Sequence, residues 1–238
     1  MRGDRSERLT CHLSPVTDNP AVGRQAVIFG GAPLDPTPRL RSRVAELVQP
    51  FVVAADRGAS TALAFGCQPD VVVGDLDSLD AHTLAELQRR GVPIETYPRD
   101  KDATDGQLAL ERALVVGPDL LLVLAYLGGP RLDQALANVL LLTQTRSRVV
   151  LLDARNECVL LREHEAWQWQ PEATELISLL PIGGDAHGVR TGGLRWQLDG
   201  ETLRFGSTRG LSNEPISNQA HVSVERGQLL LTRHFPLD

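Results

Sequence analysis

From Ala26 to about Thr145 the chain alternates short apolar runs, rich in β-branched residues, with stretches whose apolar positions recur every three to four residues. This is the pattern of βα units wound around a parallel sheet. The runs predict strands near Ala26–Phe29, Phe51–Ala55, Val71–Gly74, Ile94–Tyr97 and Leu120–Leu124. The periodic stretches predict helices near Arg39–Val48, Ala81–Arg90, Asp105–Val116 and Pro130–Thr143. After about Val149 the helical period disappears and short alternating strands follow, separated by glycine turns. Leu198-Asp199-Gly200-Glu201 reads as a hairpin turn between Leu194–Gln197 and Thr202–Phe205, because Asp-Gly tolerates positive φ. The expected organisation is α/β: a flexible tail over residues 1–24, a parallel-sheet domain over 25–147 and a small all-β domain over 148–238.

Composition narrows the functional classes. With 24 Lys+Arg against 30 Asp+Glu in 238 residues, the net charge is −6, which argues against a dedicated nucleic-acid binder. No apolar run approaches the roughly 20 residues needed to cross a bilayer, so no membrane association is expected. The opening twenty residues carry charge without an apolar core, unlike a signal peptide. Cys11, Cys67 and Cys158 are odd in number and lack zinc spacing, which fits a reduced, cytoplasmic setting. Among the basic residues only Lys101 is a lysine, so a Walker A loop is excluded.

Three polar constellations interrupt the apolar pattern. Asp56 follows one strand, and Asp75 and Asp77 follow another; at i and i+2 of an extended segment the latter two would face one side. Convergent carboxylates suit Mg²⁺, and the carboxyl ends of parallel strands are where open α/β sheets bind ligands. The competing reading is that these acids only form the turns that leave the strands. Asp100-Lys101-Asp102-Ala103-Thr104-Asp105 precedes a helix, with Thr104 and Gln107 spaced as a capping box. A cap does not account for the acids flanking Lys101. Gly128-Gly129-Pro130 then opens a helix on which Arg131, Gln134 and Asn138 form a polar stripe, read either as one wall of a cleft or as a solvent face. Trp196 is either a core residue or a stacking platform, and Ser212-Asn213 either a turn or part of a site.

In order and spacing these segments resemble the thiamine pyrophosphokinase family. The resemblance rests on Ala55-Asp56-Arg57-Gly58-Ala59, Gly74-Asp75-Leu76-Asp77-Ser78, Asp100 to Asp105, Arg131-Leu132-Asp133-Gln134 with Leu136-Ala137-Asn138, Gly193-Leu194-Arg195-Trp196, and Leu211-Ser212-Asn213-Glu214. It implies a Rossmann-like catalytic domain, a C-terminal β-sandwich that binds thiamine, and a homodimer with the site shared between subunits. The implied reaction moves pyrophosphate from ATP to the hydroxyethyl oxygen of thiamine, giving thiamine diphosphate and AMP. The resemblance assigns Asp56, Asp75, Asp77 and Asp105 to Mg²⁺, and Lys101, Thr104, Arg131, Asp133, Gln134 and Asn138 to the nucleotide. Asp105, Trp196, Ser212 and Asn213 fall to thiamine, and Asp75, Asp77, Asp102, Asp105 and Arg131 to catalysis, with Asp102 or Asp105 as proton acceptor. Arg57, Pro130 and Gln134 depart from the family pattern. Two rival expectations are a pyrophosphokinase acting on a hydroxymethylpterin and a non-catalytic thiamine- or nucleotide-binding protein.

Overall fold

The computed structural model describes residues 23–172 and 174–236. Cys11 and nearly all of the expected tail lie outside the described residues; at its end, Arg24 is anchored by its N–H on Asp119 Oδ2 at 2.9 Å. The expected parallel strands form as β1 (Gln25–Phe29), β2 (Phe51–Ala55), β3 (Val71–Gly74), β4 (Ile94–Thr96) and β5 (Leu120–Leu124). Beside β5 runs a sixth, β6 (Arg148–Leu152), so the parallel order is β4-β3-β2-β1-β5-β6. Val71, Val72 and Val73 are buried, as a strand covered on both faces requires.

Five helices connect these strands: α1 (Pro38–Ala45), α2 (Gly58–Ala64), α3 (Ala81–Arg89), α4 (Asp105–Leu114) and α5 (Leu132–Leu141), the last continuing as a 3₁₀ turn over Leu142–Gln144. Side-chain oxygens of Thr37, Asp80 and Thr104 accept from N3 amides and fix the starts of α1, α3 and α4. Thr104 is therefore the expected cap, but Gln107 turns its amide to Glu111 at 2.9 Å and the capping box is half made. Helix α2 carries no apolar period, since Gly58-Ala59-Ser60-Thr61-Ala62 offers mostly small residues. It packs close: a Cβ on Gly58 would overlap the Phe29 carbonyl.

The remaining strands are β7 (Asn156–Leu161), β8 (Ala166–Trp169), β9 (Leu176–Pro181), β10 (Ala186–Gly192), β11 (Asp199–Leu203), β12 (Ala220–Ser223) and β13 (Leu229–His234). Strands β7, β13 and β9 extend the large sheet antiparallel beyond β6, while β11-β10-β12-β8 form a separate antiparallel sheet. Hydrogen bonding in the large sheet thus runs without a break across residues 147 and 148. One apolar cluster joins Val159, Ile177, Leu179 and Leu231 of the large sheet to Trp167, Trp169, Val189 and Val222 of the small one. The hairpin expected at Asp199-Gly200 is not formed. Both residues lie inside β11, where Gly200 at φ 83° serves a register shift against β10 rather than a turn.

Beneath this cluster sits a buried ionic knot. Arg233 reaches Glu157 at 3.0 Å and Glu175 at 2.8 Å, and Trp169 Nε1 donates to Glu175 at 2.7 Å. Paired and hydrogen-bonded, these charges tie β7, β8 and β13 together.

Candidate active site

The parallel strand order reverses between β1 and β5, and a cleft with polar walls opens above their carboxyl ends. It encloses about 540 Å³ between Gly30-Gly31 after β1, Asp56 after β2, Thr104-Asp105 at the start of α4, and the Arg131, Gln134 and Asn138 stripe of α5. That stripe is therefore a cleft wall. Asp56 at φ 45° and Ala125 at φ 59° hold left-handed backbone in this cleft, the strained geometry that concentrates at functional sites.

Asp56 is buried and accepts the Leu76 N–H at 3.0 Å. Burial, with the Asp105 and Asp75 carboxylates adding to it, raises its carboxyl to about 6 against the pull of that hydrogen bond. Gly74, at φ 147°, leaves the room: a Cβ there would overlap the Asp56 carboxylate. Lys101 Nζ donates to Asp105 Oδ1 at 2.7 Å. Burial pulls the ammonium down, but the Asp105 bond and the Asp75 and Asp56 charges outweigh it and hold Lys101 above its ordinary range.

Asp75 and Asp77 do not share a strand face. Strand β3 ends at Gly74, Leu76 takes φ 64°, and the Asp77 N–H donates to Asp75 Oδ1 at 3.1 Å. An Asx turn, not an extended pair, is what the local sequence makes here. Asp75 still acts on Asp56 and Lys101 through its charge. Among the described residues no three His, Cys, Asp or Glu side chains form a ready-made metal cage. Asp102 is exposed and makes no hydrogen bond or ion pair among the described residues. Arg131 engages Asp133 through Nε at 2.8 Å, and that guanidinium, with the Gln134 N–H, holds Asp133 down at about 2.

The apolar pattern concealed Tyr126, which ends the run of β5 and reads as core. It is buried, its hydroxyl donates to the Gly106 carbonyl at 2.6 Å, and Asn138 Nδ2 donates to its carbonyl at 2.8 Å. These two bonds lock α4, the loop after β5 and α5 together around Asp105. Gly30-Gly31 and Arg57 also line the cleft.

A second cavity, about 500 Å³, lies in the β region between Leu179, Trp196, Leu198, Arg209, Leu211 and Asn213. Trp196 is 54% exposed, so it is not core; Trp167 and Trp169 fill that role. Asn213 is spent on structure, its amide bonding the Trp196 carbonyl at 2.7 Å and its oxygen accepting the Trp196 N–H at 3.1 Å. Ser212 takes φ 58° and its N–H bonds Ser178 Oγ at 3.1 Å. The segment is both the expected turn and a brace for Trp196.

A family model described as the thiamin pyrophosphokinase catalytic domain matches residues 47–151, and one described as the thiamin pyrophosphokinase vitamin B1 binding domain matches residues 167–229. The chain belongs to the thiamine pyrophosphokinase family. Thiamine pyrophosphokinase of Bacillus subtilis is 29% identical over 184 residues, covering 76% of this chain and 86% of that protein. The crystal structure of thiamine pyrophosphokinase from the same organism superposes with a TM-score of 0.80 at 26% identity, covering 90% of this chain and 100% of the other. That of thiamin pyrophosphokinase from Geobacillus thermodenitrificans gives 0.75 at 27% identity, over 89% of this chain and 97% of the other. In this thiamine pyrophosphokinase family member the catalytic match ends at residue 151, within β6, the last parallel strand, and the second match begins at residue 167, within β8.

Proposed function

We propose that the chain is a thiamine pyrophosphokinase, transferring the β,γ-pyrophosphoryl group of ATP to the hydroxyethyl oxygen of thiamine. One observation carries the reading: Asp56 and Asp105, from two different connections, line one cleft with the α5 stripe of Arg131, Gln134 and Asn138, and Lys101 bonds Asp105 at 2.7 Å. Such a cluster is what phosphoryl chemistry requires, since alignment and charge neutralisation supply most of the rate.

The hydroxyl oxygen of thiamine forms a bond to the β-phosphorus, the bond from that phosphorus to the α-phosphate oxygen breaks, and AMP departs with the electron pair. The hydroxyl proton passes to a carboxylate of the Asp56–Asp105 pair; exposed Asp102 is set aside. Arg131, Thr104, Gln134 and Asn138 line the nucleotide side. Asp133 orients Arg131 through their ion pair. Asp56, Asp75 and Asp105 are the oxygen donors that would hold Mg²⁺, with Asp77 supporting Asp75 from the turn. The fit is that of a cation taking one or two carboxylates and completing its shell with water and substrate phosphate. When bound, Mg²⁺ supplies neutralising charge at the phosphates.

Trp196 would stack on the thiamine ring, with Asn213 and Ser212 fixing its loop. We read the first region as Rossmann-like and the second as a β-sandwich in which β7, β13 and β9 face the small sheet. A homodimer that brings one subunit's Trp196 cavity to the other's cleft is supported by exposed apolar surface on α5, where Leu132, Leu136 and Leu140 are spaced four apart. The free thiols Cys67 and Cys158 support a cytoplasmic location, and no described helix is long and apolar enough to cross a membrane.

The test is to incubate the protein with ATP, Mg²⁺ and thiamine and follow adenine nucleotides and thiamine species together by chromatography. AMP appearing in step with thiamine diphosphate is expected. ADP with thiamine monophosphate, or turnover only with a pterin alcohol, would overturn the reading; ligand binding without any turnover would leave only the binding-protein alternative.

A further inference from the structure

Among the described residues Lys101, Arg131 and Arg57 stand in or beside the nucleotide cleft, and the first two are already neutralised; Arg99, whose charge reaches Asp75, lies outside the cleft lining. Lys101 is bonded to Asp105 and Arg131 to Asp133. Arg57 lines the same cleft, yet among the described residues it has no carboxylate partner. Its Nε donates to the Gly31 carbonyl at 3.1 Å and its Nη2 donates to the same oxygen, a neutral acceptor that leaves the positive charge uncompensated. A guanidinium carries five N–H donors, so donors remain after both bonds to Gly31. Gly31 itself belongs to the loop that follows β1 and forms part of the cleft wall, with a Gly30 N–H that bonds the Leu124 carbonyl at 2.8 Å.

From this imbalance we infer that Arg57 is the side chain that recognises the polyphosphate of the nucleotide, and that it couples phosphate binding to the position of the Gly30-Gly31 loop. A guanidinium matches phosphate in paired hydrogen bonds, and an uncompensated one gains more from an anion than one already paired. The side chain is exposed, so its charge costs little to keep unpaired before the nucleotide arrives. The inference rests on the nucleotide-cleft reading above, but concerns which cation reads the phosphates rather than which reaction follows.

The experiment is calorimetric titration of the full chain, without thiamine, with Mg·ATP and with AMP. It compares the natural protein with Arg57→Ala and Arg57→Lys, and thermal unfolding is recorded for each. Arg57→Ala is expected to weaken ATP binding about tenfold and AMP binding less than about twofold, the loss of one charge-assisted contact to the outer phosphates. Arg57→Lys is expected to recover part of the ATP affinity, since it keeps the charge but not the fork. Equal weakening of ATP and AMP would overturn the inference and make Arg57 only a brace for the Gly31 loop. Unchanged binding of both would overturn it as well. If the natural protein makes AMP and thiamine diphosphate while Arg57→Ala keeps its ATP-to-AMP preference, the Arg57 assignment alone falls. If the natural protein does not prefer ATP to AMP, the Arg57 inference falls, while the reaction stands or falls with the turnover assay above.

Discussion

Lys101, the chain's only lysine, places its ammonium 2.7 Å from Asp105, the first residue of α4. The pair spans four residues across the capped helix start, so the Thr104 cap sets where both charges stand. An acid cluster that must admit a polyphosphate benefits from a cation that is already held in place.

Replacing Lys101 with alanine removes that cation while leaving the Thr104 cap. The KM for ATP is expected to rise about tenfold and the KM for thiamine less than about twofold, because Asp105, no longer neutralised, then repels the polyphosphate. Steady-state kinetics with each substrate varied in turn checks the split. Equal changes in both constants would mean that Lys101 only braces Asp105.

Asp56 yields a pH prediction for the metal-free protein. Its carboxyl is raised to about 6 in the fold, mainly by burial, so between roughly pH 4 and 6 the folded state holds a proton that the unfolded chain has released. Its contribution to stability is complete below about pH 4 and is lost as pH rises through about 6. Asp56→Asn, which keeps an oxygen for the Leu76 N–H, is therefore expected to be more stable than the natural protein at pH 8 by about 1–2 kcal/mol after allowance for solvent screening, and to lose that advantage near pH 4. Urea unfolding of both proteins in chelator across this range measures the gap. A gap independent of pH would show that the carboxyl is not shifted.

Trp196 and Asn213 touch each other but are expected to fail differently. Trp196→Ala removes a half-exposed ring and is expected to raise the KM for thiamine at least about tenfold, with stability changed by less than about 1 kcal/mol. Asn213→Ala leaves the Trp196 N–H and carbonyl without partners in a part-buried loop, and is expected to cost about 2 kcal/mol of stability as well as thiamine affinity. Denaturant midpoints and thiamine kinetics on the two variants separate stacking from bracing.

On α5, Leu136 is 56% exposed in the middle of the Leu132–Leu140 stripe. Leu136→Asp puts a charge on that surface and is expected to convert a dimer to monomers with loss of turnover, read by light scattering at several concentrations together with the AMP assay. An unchanged mass would remove α5 from the subunit contact.

Much of the fold was legible because burial imposes periods that residues record locally. The βα alternation through β5, the start of α4 at Asp105 and the cleft position of Arg131, Gln134 and Asn138 each follow from which side chains must avoid water and which amides need a cap. Helix α2 escaped because Gly58 to Ala64 is built for close approach rather than for an apolar face. Asp199-Gly200 was misread for the converse reason: the dipeptide reports tolerance of positive φ, and a bulge inside β11 uses it as readily as a turn.

What the sequence by itself determined was the set of chemical groups and the local elements that carry them, since hydrophobic period, caps and glycine conformations act within a few residues. Only the tertiary structure decided the rest: that β6 continues the parallel sheet, that Asp56 accepts the Leu76 N–H, that Asn213 braces Trp196, and that Arg57 is left without a carboxylate. Those outcomes depend on strand pairing and on which charges find partners across long sequence separations. Coulomb and hydrogen-bond energies fall off over ångströms of space and do not depend on distance along the chain.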